Sequence, residues 1–195
     1  MSGNRKIGVY ICRCGGNISD HVDVEKVREA VEKELDVEVA RTRMFSCSDA
    51  SQQEMMEDIR ASGLDGMVVA SCSPKLHLCT FRGVAERGGL NPFKYVQVNI
   101  REQCSWPHSD DAEGATGKAI GLVRGGIAKA RGAEALEQVR VTSVRKVLVI
   151  GAGIAGMRAS IAMADLGVEV VLVERGHFVG GRPARLGTVY PSGGR

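Results

Sequence analysis

Three observations predict an α/β fold with a parallel sheet. Short continuous apolar runs alternate with segments of helical periodicity, Gly-rich or polar turns follow the runs, and one glycine triplet sits directly between a strand pattern and a helix pattern. Continuous rather than alternating apolar strands are those buried on both faces, which requires helices on either side of the sheet.

The elements follow in order. Lys6 to Ile11 gives the first strand and ends in the turn CRCGGN. Asp23 caps a helix in which Val24, Val27, Val31 and Leu35 recur at helical spacing. Val37 to Met44 reads as a second strand. A helix from about Ala50 to Ala61 follows, capped by Ser48 or Asp49 and closed by Gly63, where a left-handed residue is wanted. Gly66 to Ala70 is the third strand. Pro74 suits the first turn of a helix that runs towards Gly88 and Gly89. Phe93 to Ile100 gives a fourth strand, and Asp110 to Glu113 opens a long helix reaching about Leu136. That helix contains Gly114, Gly117, Gly121, Gly125, Gly126 and Gly132. Each interior glycine costs about 0.5–1 kcal/mol against alanine, so packing must hold it. Residues 137–145 read as a linker, and KVLVI from Lys146, a helix to about Leu166 and VEVVLVE complete a β-α-β unit. The expected division is a domain over 1–136, the linker, and a partial dinucleotide-binding unit over 146–195.

Composition narrows the function classes. With 195 residues and 44% hydrophobic content, the chain can bury one good core and part of a second. Basic and acidic residues nearly balance at 26 against 23, and no basic run is interleaved with aromatics, which argues against a nucleic-acid partner. No apolar stretch approaches the roughly 20 residues of a membrane span, and no secretory leader is evident. A cytoplasmic location is expected. There, six cysteines serve metals or redox chemistry more often than disulfides.

Five of those cysteines stand where a strand pattern gives way to a loop: Cys12, Cys14, Cys47, Cys72 and Cys104. Loops leaving the carboxyl ends of parallel strands converge on one edge, so separated loops can bring thiols around one point. Four soft thiolates suit an iron–sulfur cluster or zinc. Cys12 reads as the last inward residue of its strand, leaving Cys14 as the better ligand. Cys79 falls inside a helix and reads as packing, and His77 and His108 read as surface or hydrogen-bonding residues. Arg13, Lys75 and Arg101 would offset the charge of a thiolate-bound cluster.

Gly151, Gly153 and Gly156 form G-x-G-x-x-G between a strand and a helix, and Glu174 ends the next strand. The first glycine allows a tight turn, the second lets backbone approach a pyrophosphate, and the third brings helix and strand together. The helix start offers free N–H groups to phosphates, and Glu174 can accept from ribose hydroxyls. Gly180, Gly181 and Arg182 follow in a V-E-R-x-x-x-x-G-G-R run resembling that of two-dinucleotide-binding flavoproteins, which implies FAD rather than NAD. The fold class is thus a Rossmann-like N-terminal domain followed by an incomplete dinucleotide-binding unit. Because Arg195 comes only about 20 residues after Glu174, a flavin site is expected to need a completing chain.

Together, GVYICRCGGNI, MFSCSDASQ, VVASCSPKLH, NIREQCSWPH and VLVIGAGIAGMRAS resemble the A-type subunits of heterodisulfide reductase, over nearly the whole chain. The resemblance implies a 4Fe-4S domain ahead of a thioredoxin-reductase-like FAD domain, and an electron-transfer role in anaerobic energy metabolism such as methanogenesis. Carried over by motif, it implies Cys14, Cys47, Cys72 and Cys104 as cluster ligands, with Cys12 as the alternative to Cys14. It also implies Gly151, Gly153, Gly156, Glu174, Gly181 and Arg182 as flavin-binding positions. Family members usually lack a cysteine at the position of Cys79. Implied partners are B- and C-like subunits and the electron-transfer subunit of a hydrogenase or formate dehydrogenase. The family continues beyond the PSGGR region, so a split subunit, a truncated frame or a recoded stop is expected here. Two other functions stay open: a docking module with zinc-bound or free cysteines, and a small stand-alone flavoprotein.

Overall fold

The computed structural model describes residues 5–137 and 139–186, so the PSGGR ending lies outside the described residues. The chain forms two compact units, Met1–Glu137 and Gln138–Arg195.

In the first unit, β1 (Ile7–Cys12), β2 (Val37–Arg43), β3 (Gly66–Ser71) and β4 (Tyr95–Asn99) form one parallel sheet in the order β2-β1-β3-β4. Every residue of β1 and β3 is buried, as their unbroken apolar runs require. Alternation of side chains sends Ile7, Val9 and Ile11 to one face and Tyr10 to the other. On the first face they pack with α1 (Val24–Glu32) and α4 (Ala112–Gly132); on the second, Tyr10 joins α2 (Asp49–Ser62) and α3 (Pro74–Gly88). The result is a three-layer α/β/α unit.

The helix boundaries follow local chemistry. Asp23, Ser48, Ser73 and Asp111 each accept a backbone N–H within the first turn, satisfying donors that a helix start leaves free. Gly63 closes α2 in the left-handed conformation. Three expected boundaries move by more than one residue. α1 stops at Glu32, so Leu35 lies beyond the helix and is 85% exposed. β4 begins at Tyr95 rather than Phe93, because Pro92–Lys94 form a 3-10 turn capped by the Asn91 side chain at 3.0 Å from Phe93 N. The last long helix stops at Gly132 rather than near Leu136, where Ala133 turns extended and its carbonyl accepts from Arg5. The glycine content of α4 has a packing reason at one position: a Cβ on Gly126 would lie 2.4 Å from Val98 Cγ2, so glycine lets the helix approach the sheet.

The second unit is a parallel pair, β5 (Lys146–Ile150) and β6 (Glu169–Val173), joined by α5 (Ile154–Asp165). Its apolar side chains are largely exposed, Ile150 at 82% and Leu148 at 59%.

Candidate functional site

The order β2-β1-β3-β4 makes the chain move to opposite sides after β1, and the crevice at such a reversal is where open α/β sheets bind ligands. At this edge lies a cavity of about 290 Å³ lined by Cys12, Cys14, Cys47 and Cys72, together with Ser46, His77 and Arg101. Four thiols from the ends of three strands therefore face one space.

Each thiol has a local reason to be there. Cys12 is the last residue of β1, 4% exposed, and its sulfur accepts the Ser46 backbone N–H at 3.4 Å. Cys14 adopts φ +55°, the one non-glycine left-handed residue among those described, in the short 3-10 turn Cys14–Gly16. Such a conformation costs about 1–3 kcal/mol and persists only where its surroundings enforce it. Cys47 and Cys72 each occupy the centre of a Ser-Cys-Ser triplet whose second serine caps a helix, Ser48 for α2 and Ser73 for α3. Both thiols thus precede a helix start, where the partial positive charge of the helix favours an anion. Burial raises the thiol pKa of Cys12 and Cys72.

Cys104, the fourth sequence-derived ligand, stands apart from the cavity lining. A π-helical turn at Arg101–Ser105 directs its sulfur inward, where it is fully buried and donates to the Ala115 carbonyl at 2.9 Å. Cys79, expected to pack, is exposed on α3. His77 lines the cavity, with Nδ1 3.5 Å from Thr80 Oγ1, whereas His108 pairs with Lys118 at 2.7 Å. Among the described residues, no three Cys, His, Asp or Glu side chains converge closely enough to hold a single metal ion.

Two donors in the cavity wall have no partner among the described residues. Ser46 Oγ and Arg101 Nε are buried and make no hydrogen bond there. Unsatisfied buried donors are costly, typically about 1–3 kcal/mol each, and they suit an acceptor-rich occupant such as a sulfide-bearing cluster. Sequence reasoning missed Ser46 and the cap at Ser73, although the repeated Ser-Cys-Ser triplet was a legible signal.

The second unit assembles its own motif. Gly151 turns at φ +103°, and its N–H donates to Val173 O at 2.7 Å. A Cβ on Gly156 would lie 1.9 Å from the Gly151 carbonyl oxygen, so only glycine allows this helix–strand approach. Nothing lies within 4 Å of where a Cβ on Gly153 would stand. The Gly180 region folds back on the turn, bridging Gly153 and donating to Ala152 O at 2.7 Å, with Gly181 alongside. Arg182 is exposed. Glu174 accepts from the N–H groups of Gly176 and Ala152, both at 2.8 Å, and these donors lower its pKa in that order. The carboxylate therefore orders the glycine turn while keeping lone pairs for a further donor.

Residues 146–191 match the model of the FAD dependent oxidoreductase family. The chain is 47% identical to the A subunit of the ferredoxin/F420H2-dependent CoB-CoM heterodisulfide reductase of Methanosarcina acetivorans, over 96% of this chain and 24% of that protein. It is 46% identical to the CoB–CoM heterodisulfide reductase iron-sulfur A subunit 2 of Methanopyrus kandleri, over 96% of this chain and 28% of the relative. A third relative, the A subunit of the H2:CoB-CoM heterodisulfide,ferredoxin reductase of Methanothermobacter thermautotrophicus, matches at 46% with the same coverage. Over nearly its whole length the chain is similar to heterodisulfide reductase A subunits. It spans about a quarter of the length of these relatives. The FAD dependent oxidoreductase match thus falls in the second unit, and the thiol cavity lies in the first. No described helix is long and apolar enough to cross a membrane.

Proposed function

We propose that the first unit carries a 4Fe-4S cluster at the thiol cavity and serves electron transfer in a heterodisulfide reductase-like complex of flavin and iron–sulfur subunits. The observation that carries this reading is the meeting of four thiols with two unpartnered donors at the sheet's reversal point. When bound, such a cluster supplies one-electron transfer.

The chain's own residues divide the work. Cys14, Cys47 and Cys72 hold the cluster with Cys12 as the fourth ligand, since Cys12 lines the cavity and Cys104 bonds instead to Ala115. The starts of α2 and α3 and the Ser46 N–H offset negative charge on sulfur. In the second unit, Gly151, Gly153 and Gly156 would accommodate the FAD pyrophosphate, Glu174 would accept from its ribose hydroxyls, and Gly181 and Arg182 would add further contacts to the FAD. The segment 137–145 separates these roles.

The partners implied by this reading are B- and C-like subunits and a hydrogenase or formate dehydrogenase electron-transfer subunit, in the cytoplasm. Anaerobic reconstitution followed by iron and sulfide analysis and EPR tests the cluster. Iron and acid-labile sulfide in equal amounts, with a signal on reduction, are expected. Zinc without iron, or no metal, would replace the proposal with a docking role. Stoichiometric FAD in the isolated chain would instead indicate a stand-alone flavoprotein.

A further inference from the structure

We infer that Arg101 is a positioning residue that sets the reduction potential of the cavity's redox centre, an inference that rests on the cluster reading above. Its Nη1 donates to Cys14 Sγ at 3.3 Å, joining residues 87 positions apart. The side chain is only 15% exposed. Two neighbours fix it: the guanidinium lies 4.7 Å from the centre of the Trp106 ring, and Nη2 donates to Glu102 Oε1 at 2.8 Å. Glu102 is itself held, its N–H donating to Asn99 Oδ1 at 3.0 Å. One donor is left over, because Nε is buried without a partner among the described residues, in the wall of the thiol cavity.

A side chain recruited merely to cover apolar surface does not need its donors directed at a thiol. Here a permanent cation, held by two neighbours, sends one hydrogen bond to a candidate ligand sulfur and retains another donor beside the same space. A cation and N–H groups at sulfur stabilise the more negative, reduced state, so they raise the potential. Glu102 works in the opposite direction by neutralising part of the guanidinium charge. One of its oxygens, Oε2, is buried and unpartnered, so its charge is poorly screened by solvent.

The pair makes the inference testable by sign. Arg101→Met keeps the length of the side chain but removes charge and donors, whereas Glu102→Gln keeps the shape and removes the opposing charge. Both are compared with the unaltered chain, anaerobically reconstituted, by EPR-monitored redox titration together with iron content and circular dichroism. Arg101→Met is expected to retain iron and to lower the reduced-to-oxidised ratio at fixed potential about tenfold, equivalent to about 59 mV for a one-electron couple. Glu102→Gln is expected to raise that ratio, and Arg101→Lys, which keeps the charge, to fall between Met and the native residue.

An unchanged potential in iron-loaded Arg101→Met overturns the inference. If Arg101→Met folds but takes up no iron, Glu102→Gln decides, and the absence of an upward shift there overturns it. Failure of the unaltered chain to form any cluster refutes the cluster reading itself, which is a distinguishable result.

Discussion

The Ser46 backbone N–H points at the Cys12 sulfur across 3.4 Å, tying the loop after β2 to the last residue of β1. This contact places Cys12 in the wall of the cavity, while Cys104 spends its proton on the Ala115 carbonyl within the apolar core. The two thiols should therefore respond differently to removal. Cys12→Ala is expected to abolish most iron uptake with little loss of fold. Cys104→Ala is expected to retain the iron and to lower stability by about 1–2 kcal/mol through lost packing. Iron analysis and urea unfolding of both variants check this, and iron loss in Cys104→Ala with retention in Cys12→Ala would reverse the ligand choice.

Gly156→Ala should be among the most damaging single-methyl changes in the second unit. Its Cβ would collide with the Gly151 carbonyl, forcing α5 away from β5. A cost of about 1–3 kcal/mol is expected from overpacking, read as faster amide exchange across residues 146–173. Exchange rates unchanged from the native chain would show that the turn tolerates a side chain.

Lowered pKa at Glu174 gives a pH dependence of definite sign. Because the folded carboxylate has the lower pKa, its contribution is present above the usual carboxylate range and is lost as pH falls through the folded value. Protection of the Ala152 and Gly176 amides should weaken only on acidification below the usual carboxylate range. Glu174→Gln should remove most of this dependence, measured by amide exchange at a series of pH values.

Beneath the sheet, Arg41 binds Asp58 through two hydrogen bonds of 2.7 and 2.8 Å, and the Tyr10 hydroxyl donates to the same carboxylate at 3.3 Å. Asp58→Ala strands these donors and should cost about 1–3 kcal/mol, less than a fully buried pair because Arg41 is 41% exposed. Tyr10→Phe should cost only about 1 kcal/mol. Burial raises the Tyr10 pKa above the usual value of about 10, so stability is fully present below that value and falls as the unfolded tyrosine ionises above it. Denaturant unfolding at neutral and alkaline pH checks both points, with Tyr10→Phe showing the smaller alkaline loss.

The strands and helices were legible because their signals are local. Ser48 and Pro74 announce helix starts within a few residues, and the unbroken apolar runs of β1 and β3 announce burial on both faces. Gly156 was equally legible, since its close contact with Gly151 spans only a single turn of chain. By contrast, nothing local marks the π-helical turn that carries Cys104 inward, because REQCS reads like any loop after a strand.

The alternating architecture, the glycine turn with Glu174, and the supply of thiols at strand ends are readable from the residues, for these depend on hydrogen bonding and side-chain periodicity over short spans. The grouping of the thiols in one cavity and the reach of Arg101 to Cys14 come from contacts between distant parts of the chain. Those meetings depend on the strand order β2-β1-β3-β4, which brings distant loops to one edge, and on the core, which draws Cys104 beneath α4.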